Sequence, residues 1–238
     1  IPAHVKIIDL AQDFRLAAPG NDYVYGLPEL NGEAIRQAAH VANPGCFATC
    51  IQLGLLPLAK AGLLKADVAV NAITGSTGAG VKPGATTHFS WRNNNMSIYK
   101  AFSHQHVPEI KQSLRQLQPD FCSEIDFIPY RGDFARGIFA TEVVRVDEAL
   151  PVEEVVELYK KFYSEAAFTH YVDKAIDMKQ VVNTTKALVH VDKYGDKLLV
   201  TSTIDNLLKG ASGQAVQNMN LMFGIDEIAG LKLKAGGF

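Results

Sequence analysis

The sequence is poor in features that would set it apart from an ordinary globular protein. It holds only three cysteines, Cys46, Cys50 and Cys122. Because three thiols cannot all pair, we expect a reducing compartment rather than a disulfide framework. No apolar run approaches the roughly 18 residues of a membrane-spanning helix, and the N-terminus lacks the basic, apolar and small-residue layout of a signal peptide. The sequence therefore predicts a cytoplasmic protein with no membrane partner.

A strong charge of either sign is also missing. The 23 basic and 25 acidic residues give a formal net charge of −2, which offers no electrostatic reason to expect nucleic acid as a partner. The hydrophobic share of 47% and the charged share of 20% are ordinary for a folded chain. A chain of 238 residues can form one large domain, or one domain and part of another.

One short segment, Asn-Pro-Gly-Cys at residues 43–46, is the strongest chemical signal in the chain. Pro44 and Gly45 form a turn, and the apolar run at 47–56 has helical spacing, which places Cys46 at a helix N-terminus. Unpaired N–H groups and the helix dipole favour a thiolate there, so we expect a lowered pKa for the Cys46 thiol. The same N–H groups can stabilise an oxyanion. The alternative is a small buried hydrophobic residue, a common role of free cysteine.

Hydrophobic periodicity predicts the elements around this segment. Strands are expected at 5–10, 67–74, 98–102, 125–129, 137–146, 187–192 and 197–204, the last two forming a hairpin. Helices are expected behind Cys46, at 107–118, after Pro151 and at 210–222, the last with Ser212 as its N-cap. A loop-rich stretch is expected at 17–40, an exposed loop at 85–95, a kink or a new start at Pro57, and a helix end at Gly62.

A glycine-rich loop follows the strand at 67–74, with glycines at positions 75, 78 and 80. Its G-x-x-G-x-G order differs from the G-x-G-x-x-G dinucleotide fingerprint, and Pro83 follows where a helix would have to open. We therefore do not assign this loop to a dinucleotide.

A thiol nucleophile needs a nearby base, and the candidates are His104 and His106, with Glu109 behind them. The two histidines lie on the loop that enters the helix at 107–118. If that loop is extended, alternate side chains point to opposite sides, so only one ring would approach Cys46. Spacing does not choose between the two rings, and both stay candidates.

The same side chains allow a different class of protein. Cys46, Cys50, His104 and His106 could supply four tetrahedral ligands to zinc, which would make the chain a metal-binding interaction module. Against this interpretation, Cys50 falls one turn inside an apolar helix. We therefore expect no metal.

Four segments together resemble the N-acetyl-gamma-glutamyl-phosphate reductase family. They are Asn-Pro-Gly-Cys-Phe at 43–47, Ile-Asp-Leu-Ala-Gln-Asp-Phe-Arg-Leu at 8–16, Tyr-Gly-Leu-Pro-Glu at 25–29 and Lys-Gly-Ala-Ser-Gly-Gln-Ala-Val-Gln-Asn at 209–218. Ala11 and Gln12 depart from the family's Ser-Ala, and Tyr130 stands where the family often has histidine. The resemblance covers most of the chain.

The resemblance implies an α/β fold that begins with the end of a Rossmann-type nucleotide-binding domain, residues 1–42. Residues 43–208 would form an α+β catalytic and dimerisation domain of the semialdehyde-dehydrogenase and glyceraldehyde-3-phosphate-dehydrogenase C-terminal type. Residues 209–238 would form a helix that returns to the first domain, and a homo-oligomer is expected. Because the chain has no initial Met and Ile1 opens straight into a strand-like run, we expect it to begin inside a longer protein. Since the glycine-rich phosphate loop that would bind NADPH is not in these residues, we expect the chain by itself to bind NADPH weakly.

The resemblance also implies the reaction. It is the NADPH-dependent reductive dephosphorylation of an N-acyl-gamma-glutamyl phosphate to the semialdehyde, in arginine biosynthesis, through a thioester on Cys46. One of His104 and His106 would be the acid/base. An aspartate-semialdehyde-dehydrogenase-like enzyme, which shares the thioester chemistry, is the alternative, and the acyl group, acetyl or succinyl, stays open.

The remaining site residues are expectations of the same kind. Substrate-binding residues would be Asn43, Ser76 and Gly78, with Lys100, Arg131 and Arg136 as cations for the phosphate and carboxylate of the substrate. Cofactor-binding residues would be Gly45, Gln214 and Asn218. Taken without the resemblance, the amide stripe that contains Gln214 and Asn218 predicts a solvated helix face; the family motif instead predicts packing beside the nicotinamide.

Overall fold

The computed structural model describes residues 1–2 and 4–236, and the strands of this part of the chain form two sheets. The smaller sheet is parallel, with the order β1-β3-β2, and consists of β1 (Ile7–Asp9), β2 (Val24–Tyr25) and β3 (His40–Ala42). It lies wholly within residues 1–42. The domain boundaries at 42/43 and 208/209 remain predictions.

The larger sheet has seven strands in the order β5-β6-β4-β7-β10-β9-β8. Its strands are β4 (Val68–Thr74), β5 (Ser97–Ile98), β6 (Ile125–Arg131), β7 (Ile138–Arg145), β8 (Thr169–Tyr171), β9 (Ala187–Tyr194) and β10 (Lys197–Ile204). The β4/β6 and β8/β9 pairs are parallel and the other pairs antiparallel. Buried and more exposed residues alternate along β4 and β7, so one face of the sheet is covered.

The described residues contain six α-helices, α1 (Pro28–Gln37), α2 (Cys46–Lys60), α3 (Phe89–Arg92), α4 (Val107–Leu117), α5 (Val152–Phe162) and α6 (Gly213–Met222). Of these, α2, α4 and α5 contact strands of the larger sheet, whereas α1 and α6 contact the smaller sheet. The central one is α2, which is buried from Phe47 to Ala59 and contacts β7, β10, α4 and α5. A helix that is apolar on all sides belongs in the core. The mixed sheet with its helices confirms the predicted α/β fold, the hairpin, and the helices behind Cys46, at 107–118 and after Pro151. Within the described residues, no helix is both long and apolar enough to cross a membrane.

Of the two outcomes expected at Pro57, the new start is wrong, because α2 continues through Pro57 to Lys60. Proline removes the N–H that would bond the carbonyl four residues earlier, here that of Leu53. The hydroxyl of Tyr163 donates to this carbonyl instead. Gly62 ends the helix as expected, with φ of +68°, and the Leu63 N–H donates to the Leu58 carbonyl.

Three other local predictions are wrong. Residues 17–40 contain β2 and α1, whose apolar pattern is interrupted by Asn31 and Gly32; Asn31 has non-helical backbone angles. Residues 85–95 contain a short 3-10 turn and α3. The strand expected at 98–102 ends at Ile98, since Lys100 and Phe102 both have positive φ.

The C-terminal helix also begins differently. Residues Leu208–Ser212 form a π-helical turn ahead of α6, and Ser212 has helical backbone angles, so it is not an N-cap. The interpretation of the amide stripe as solvated surface is wrong too, because Gln214 and Asn218 are fully buried. Asn218 Nδ2 donates to the Gly26 carbonyl at 2.9 Å, so this helix packs on the N-terminal part of the chain.

Candidate active site

The site is a cavity of about 620 Å³ at the N-terminal end of α2. Its walls come from six parts of the chain: the N-terminal part, Asn43–Phe47, the end of β4 with the loop after it, residues 99–106, the end of β6, and residues 206–211 in and before the π-helical turn. The chemically active lining residues are Arg15, Asn43, Cys46, Thr77, Tyr99, Lys100, His104, His106, Arg131 and Asn206. Chain segments that are far apart in sequence therefore meet around Cys46.

Cys46 is the first residue of α2, directly after the N-cap Gly45, as predicted. Its side chain is partly exposed and lines the cavity. Gly210, in the π-helical turn, packs against it so closely that an added β-carbon there would lie 2.8 Å from Cys46 Cβ. The thiol is thus held between the start of one helix and a turn from the C-terminal segment.

The expected low pKa of the Cys46 thiol is wrong. Burial raises this pKa to about 11, although the backbone N–H groups of Phe47 and Cys46 and the charge of Arg15 act in the opposite direction. Helix-terminal N–H groups do favour the thiolate, but desolvation is the larger effect here. The resting thiol is therefore protonated at neutral pH and needs a base.

Both histidines line the cavity, and the loop that carries them is not extended, so the condition under which the rings would face opposite ways is not met. The backbone turns at His106, whose φ and ψ are −83° and −13°. The two ring centroids are consequently only 4.5 Å apart. The His106 N–H donates to His104 Nδ1 at 3.2 Å, and both rings pack edge-on against Phe47.

Both imidazoles are neutral at physiological pH. Burial, with the charges of Lys100 and Arg131, lowers the pKa of His104 to about 4. Burial and then the neighbouring His104 lower the pKa of His106 well below its ordinary value. A neutral imidazole can accept a proton, so either ring has the protonation state of a general base.

Glu109 lies behind the histidines as predicted, but it does not line the cavity. One carboxylate oxygen accepts from the Gly45 N–H and from the Tyr25 hydroxyl, each at 3.0 Å. The other accepts from Arg15 at 3.1 Å and lies 4.0 Å from His106 Nε2. Burial raises the pKa of Glu109, with Arg15 lowering it. Its position suits anchoring the turn rather than transferring a proton.

Two of the three predicted anion-binding cations line the cavity. Lys100 Nζ donates to Gln105 at 2.9 Å, and the Arg131 guanidinium lies 4.4 Å from the centre of the Tyr99 ring. Arg136 does not line the cavity, because it pairs with the buried carboxylate of Asp205 at 3.1 Å. The prediction for Arg136 therefore finds no support in its position.

Of the other residues predicted to contact substrate or cofactor, some line the cavity and some do not. Asn43, Gly45 and Gly78 line the cavity. Ser76 does not, since its backbone bonds Phe134 and the neighbouring Thr77 faces the cavity instead. Gln214 and Asn218 are not among the lining residues; Gln214 donates to Thr49 Oγ1 at 3.0 Å, and Asn218 donates to Asn43 Oδ1 at 3.1 Å.

The sequence reasoning missed Arg15, Tyr99, Thr77 and Asn206 as lining residues. Arg15 lies in the Asp-Phe-Arg segment quoted above, so the signal was present but was not assigned to a site. Its guanidinium donates to the Asn43 carbonyl at 2.9 Å and to Glu109, which ties the N-terminal part of the chain to the cysteine turn. The other three gave no local signal.

The zinc alternative has no support in this geometry. Cys50 is buried, and its sulfur lies 3.4 Å from Ser202 Oγ. Across residues 1–2 and 4–236, no three histidine, cysteine or acidic side chains are grouped to hold a metal ion.

Comparisons with known proteins show which family the chain resembles. A family model described as the semialdehyde dehydrogenase dimerisation domain matches residues 46–206. The N-acetyl-gamma-glutamyl-phosphate reductase of Bacteroides fragilis (strain ATCC 25285) is 69% identical over 238 residues, covering 100% of this chain and 73% of that relative. Its namesake from Parabacteroides distasonis is 60% identical with the same coverage. The one from Christiangramia forsetii is 60% identical over 233 residues, 98% of this chain and 72% of the relative.

Solved structures share the fold at much lower identity. Aspartate semialdehyde dehydrogenase II from Vibrio cholerae aligns with a TM-score of 0.70 at 18% identity, over 91% of this chain and 72% of that chain. A probable aspartate-semialdehyde dehydrogenase from Pseudomonas aeruginosa aligns with a TM-score of 0.67 at 14% identity, over 92% and 72%. At such identities the likeness concerns the fold alone.

Proposed function

Because this chain belongs to the N-acetyl-gamma-glutamyl-phosphate reductase family, we propose that the cavity around Cys46 is where N-acyl-gamma-glutamyl phosphate is reduced to the semialdehyde. The observation that carries the proposal is one cysteine at a helix N-terminus, facing a cavity lined by two neutral histidines and by Arg15, Lys100 and Arg131. This combination provides a nucleophile, a base and a cationic binding surface for a phosphorylated carboxylate.

The first step is acyl transfer. The Cys46 thiol loses its proton to a histidine as the sulfur attacks the acyl carbon, and the carbon–oxygen bond to phosphate breaks with its electron pair leaving on the phosphate. A thioester on Cys46 remains. Backbone N–H groups of Phe47 and Cys46 act to lower the pKa of the thiol, and the N-terminus of α2 also favours the oxyanion of the tetrahedral intermediate.

Of the two rings, we assign proton transfer to His106 and support to His104. His106 lies directly on Gly45, next to Cys46: an added β-carbon at Gly45 would lie 2.5 Å from His106 Cε1. His104 accepts from the backbone N–H of His106 and so helps to fix the turn that carries the first ring. Glu109, 4.0 Å from His106 Nε2, adds a carboxylate behind it.

The family implies a nicotinamide cofactor, for which we propose NADPH. When bound, it would supply hydride to the thioester carbon. Within the described residues, two side chains of α6 have a buried amide oxygen without a hydrogen-bond partner, Gln214 Oε1 and Asn218 Oδ1, and these acceptors fit the amide of a nicotinamide. Asn218 is one hydrogen bond behind the lining residue Asn43. We therefore retain Gln214, Asn218 and Gly45 as the residues that would hold this group.

The decisive experiment detects the thioester by intact-mass spectrometry after the protein is mixed with N-acetyl-gamma-glutamyl phosphate and quenched in acid. One acyl adduct on the peptide that contains Cys46 is expected, with none in the Cys46→Ala variant. The N-succinyl substrate reports the preferred acyl group, and aspartyl phosphate tests the aspartate-semialdehyde-dehydrogenase-like alternative. Comparison of millimolar NADPH with NADH in discharging the adduct tests the cofactor. Absence of any adduct from both glutamyl phosphates in folded protein would refute the proposal.

We further propose that the uncovered face of the seven-stranded sheet forms a homo-oligomer interface. Half-exposed apolar side chains lie next to each other across its strands, since Ile73 pairs with Phe139, and Val143 pairs with Leu199. An open apolar sheet face of this kind marks an association surface. Analytical ultracentrifugation should give a dimer or larger species, and Phe139→Lys should shift it toward the monomer; an unchanged sedimentation coefficient would reject this face.

A further inference from the structure

A buried ion pair joins two of the segments that carried the family resemblance, through two side chains that have no part in the chemistry above. Lys209 Nζ lies 2.7 Å from Glu29 Oε1, and the two side chains are 0% and 2% exposed. Glu29 ends the Tyr-Gly-Leu-Pro-Glu segment and belongs to α1, whereas Lys209 lies in the π-helical turn. The pair therefore connects the N-terminal part of the chain to the turn before α6.

The ion pair sits in a small polar network. Lys209 Nζ also donates to Gln217 Oε1 at 2.9 Å, and Thr169 Oγ1 donates to the same Glu29 oxygen at 2.5 Å. Charged groups without solvent need partners of this kind, because an isolated buried charge is strongly unfavourable. The Lys209 ammonium group therefore has two partners in its buried position, Glu29 and Gln217.

That position matters because the residues next to Lys209 touch the nucleophile turn. Gly210 packs on Cys46, with an added β-carbon only 2.8 Å from Cys46 Cβ. The carbonyl of Ala211 accepts from Asn43 Nδ2 at 3.2 Å. One short turn thus contacts both ends of the Asn-Pro-Gly-Cys segment, and π-helical turns of this type are often found at functional sites.

We propose that the Glu29–Lys209 pair is a positioning device: it holds residues 209–211 against Asn43 and Cys46 and so fixes the direction of attack of the thiol. Glu29 and Lys209 touch neither the cavity nor the reacting atoms, and they act through Gly210 and Ala211. The inference rests on the proposed role of Cys46 as the nucleophile. A small displacement of a nucleophile from its reactive geometry is enough to slow a reaction greatly.

The test is Lys209→Met in the same protein, assayed well below its unfolding temperature. At saturating acyl phosphate the rate constant of thioester formation should fall at least tenfold, while the half-saturating concentration changes less than twofold, because Arg15, Lys100 and Arg131 are untouched. Alkylation of Cys46 by iodoacetamide should rise at least threefold, since the covering turn loosens, with exposed Cys122 as the internal reference. Val155→Ala, a core truncation on α5, is the control for lowered stability and should change neither rate constant.

A second variant guards against misfolding. Glu29→Gln combined with Lys209→Met leaves no unpaired charge in the core, so it should fold, yet it still lacks the tether and should show the same two rate changes. If a folded variant forms the thioester and alkylates at wild-type rates, the positioning role is wrong while the proposed function stands. If the wild-type protein forms no thioester, the proposed function fails. The ratio of the Cys46 alkylation rates of variant and wild type still shows whether the ion pair holds Cys46 in place.

Discussion

The imidazole of His106 lies across Gly45, so that a β-carbon built on Gly45 would come within 2.5 Å of His106 Cε1 and 2.6 Å of Cδ2. The backbone of Gly45 has φ of −67° and ψ of 148°, which any residue can adopt. The glycine of the Asn-Pro-Gly-Cys segment is therefore needed for the space it leaves to the ring, and its conformational freedom is not used.

Gly45→Ala should displace the His106 ring and slow thioester formation by about 10²-fold, the lower end of what general acid–base catalysis contributes. The fold should persist, because a side-chain ring can move where backbone cannot. Stopped-flow release of phosphate measures the rate. Gly32→Ala in α1 is the matched control, since nothing lies within 4 Å of its added β-carbon; a Gly45→Ala enzyme as fast as Gly32→Ala would contradict the contact.

The raised pKa of the Cys46 thiol predicts its pH profile. The thiolate is the reactive form, so the rate of iodoacetamide alkylation at Cys46 should climb steadily above pH 8 toward a midpoint near 11. At pH 7.5 Cys46 should react more slowly than the exposed Cys122, as peptide mapping can measure. A plateau reached near pH 7 would instead indicate a thiolate stabilised in the resting protein.

Arg131 and Arg136 should behave differently although the sequence treats them alike. Arg131→Met removes a cation from the cavity wall and should raise the half-saturating acyl phosphate concentration roughly 10- to 100-fold, as expected for one hydrogen bond to a charged group. Arg136→Met leaves the carboxylate of Asp205 without its ion pair. The Arg136→Met variant should therefore have a lower unfolding temperature, with a half-saturating acyl phosphate concentration within twofold of the wild-type value. If instead Arg136→Met weakens substrate binding and Arg131→Met lowers the unfolding temperature, the two roles are assigned the wrong way round.

Tyr163 and Pro57 should be energetically coupled. Tyr163→Phe leaves the buried Leu53 carbonyl unsatisfied and should cost about 1–3 kcal/mol of unfolding free energy. In a Pro57→Ala background the restored N–H can bond that carbonyl, so the same change should cost at least about 1 kcal/mol less. Urea unfolding of the four proteins in the double-mutant cycle measures the coupling. Additive effects would mean that the hydroxyl does not replace the missing bond.

The two buried histidines should make the fold sensitive to acid. Their pKa values are lowered in the folded state, to about 4 for His104, so below about pH 6.5 the unfolded chain binds protons that the folded chain does not. Stability should therefore fall as the pH decreases from 6.5 toward 4. The His104→Asn/His106→Gln variant should show a shallower fall of unfolding temperature between pH 7 and pH 5; an equal slope would assign the sensitivity to other groups.

Local patterns in the sequence determined much of this molecule. The turn at Pro44 and Gly45, the helix that begins at Cys46, the hairpin, and the entry-loop position of His104 and His106 all follow from neighbours within about one helical turn. The family motifs also predicted the family membership that the comparisons show. The helix at Pro28–Gln37 was not predicted, because Asn31 and Gly32 interrupt its apolar pattern. Its packing against α6 explains why it forms.

Tertiary structure decided what each functional side chain can do. Cys46 carries a proton because burial outweighs the helix terminus, Arg136 is withdrawn by Asp205 from 69 residues away, and Lys209 is fixed by Glu29 from 180 residues away. Desolvation and ion pairing depend on which distant segments enclose a group. Spacing along the chain does not show which segments enclose a side chain. It can therefore identify a candidate cysteine, histidine or arginine, but it cannot predict the protonation state or the partner of that residue.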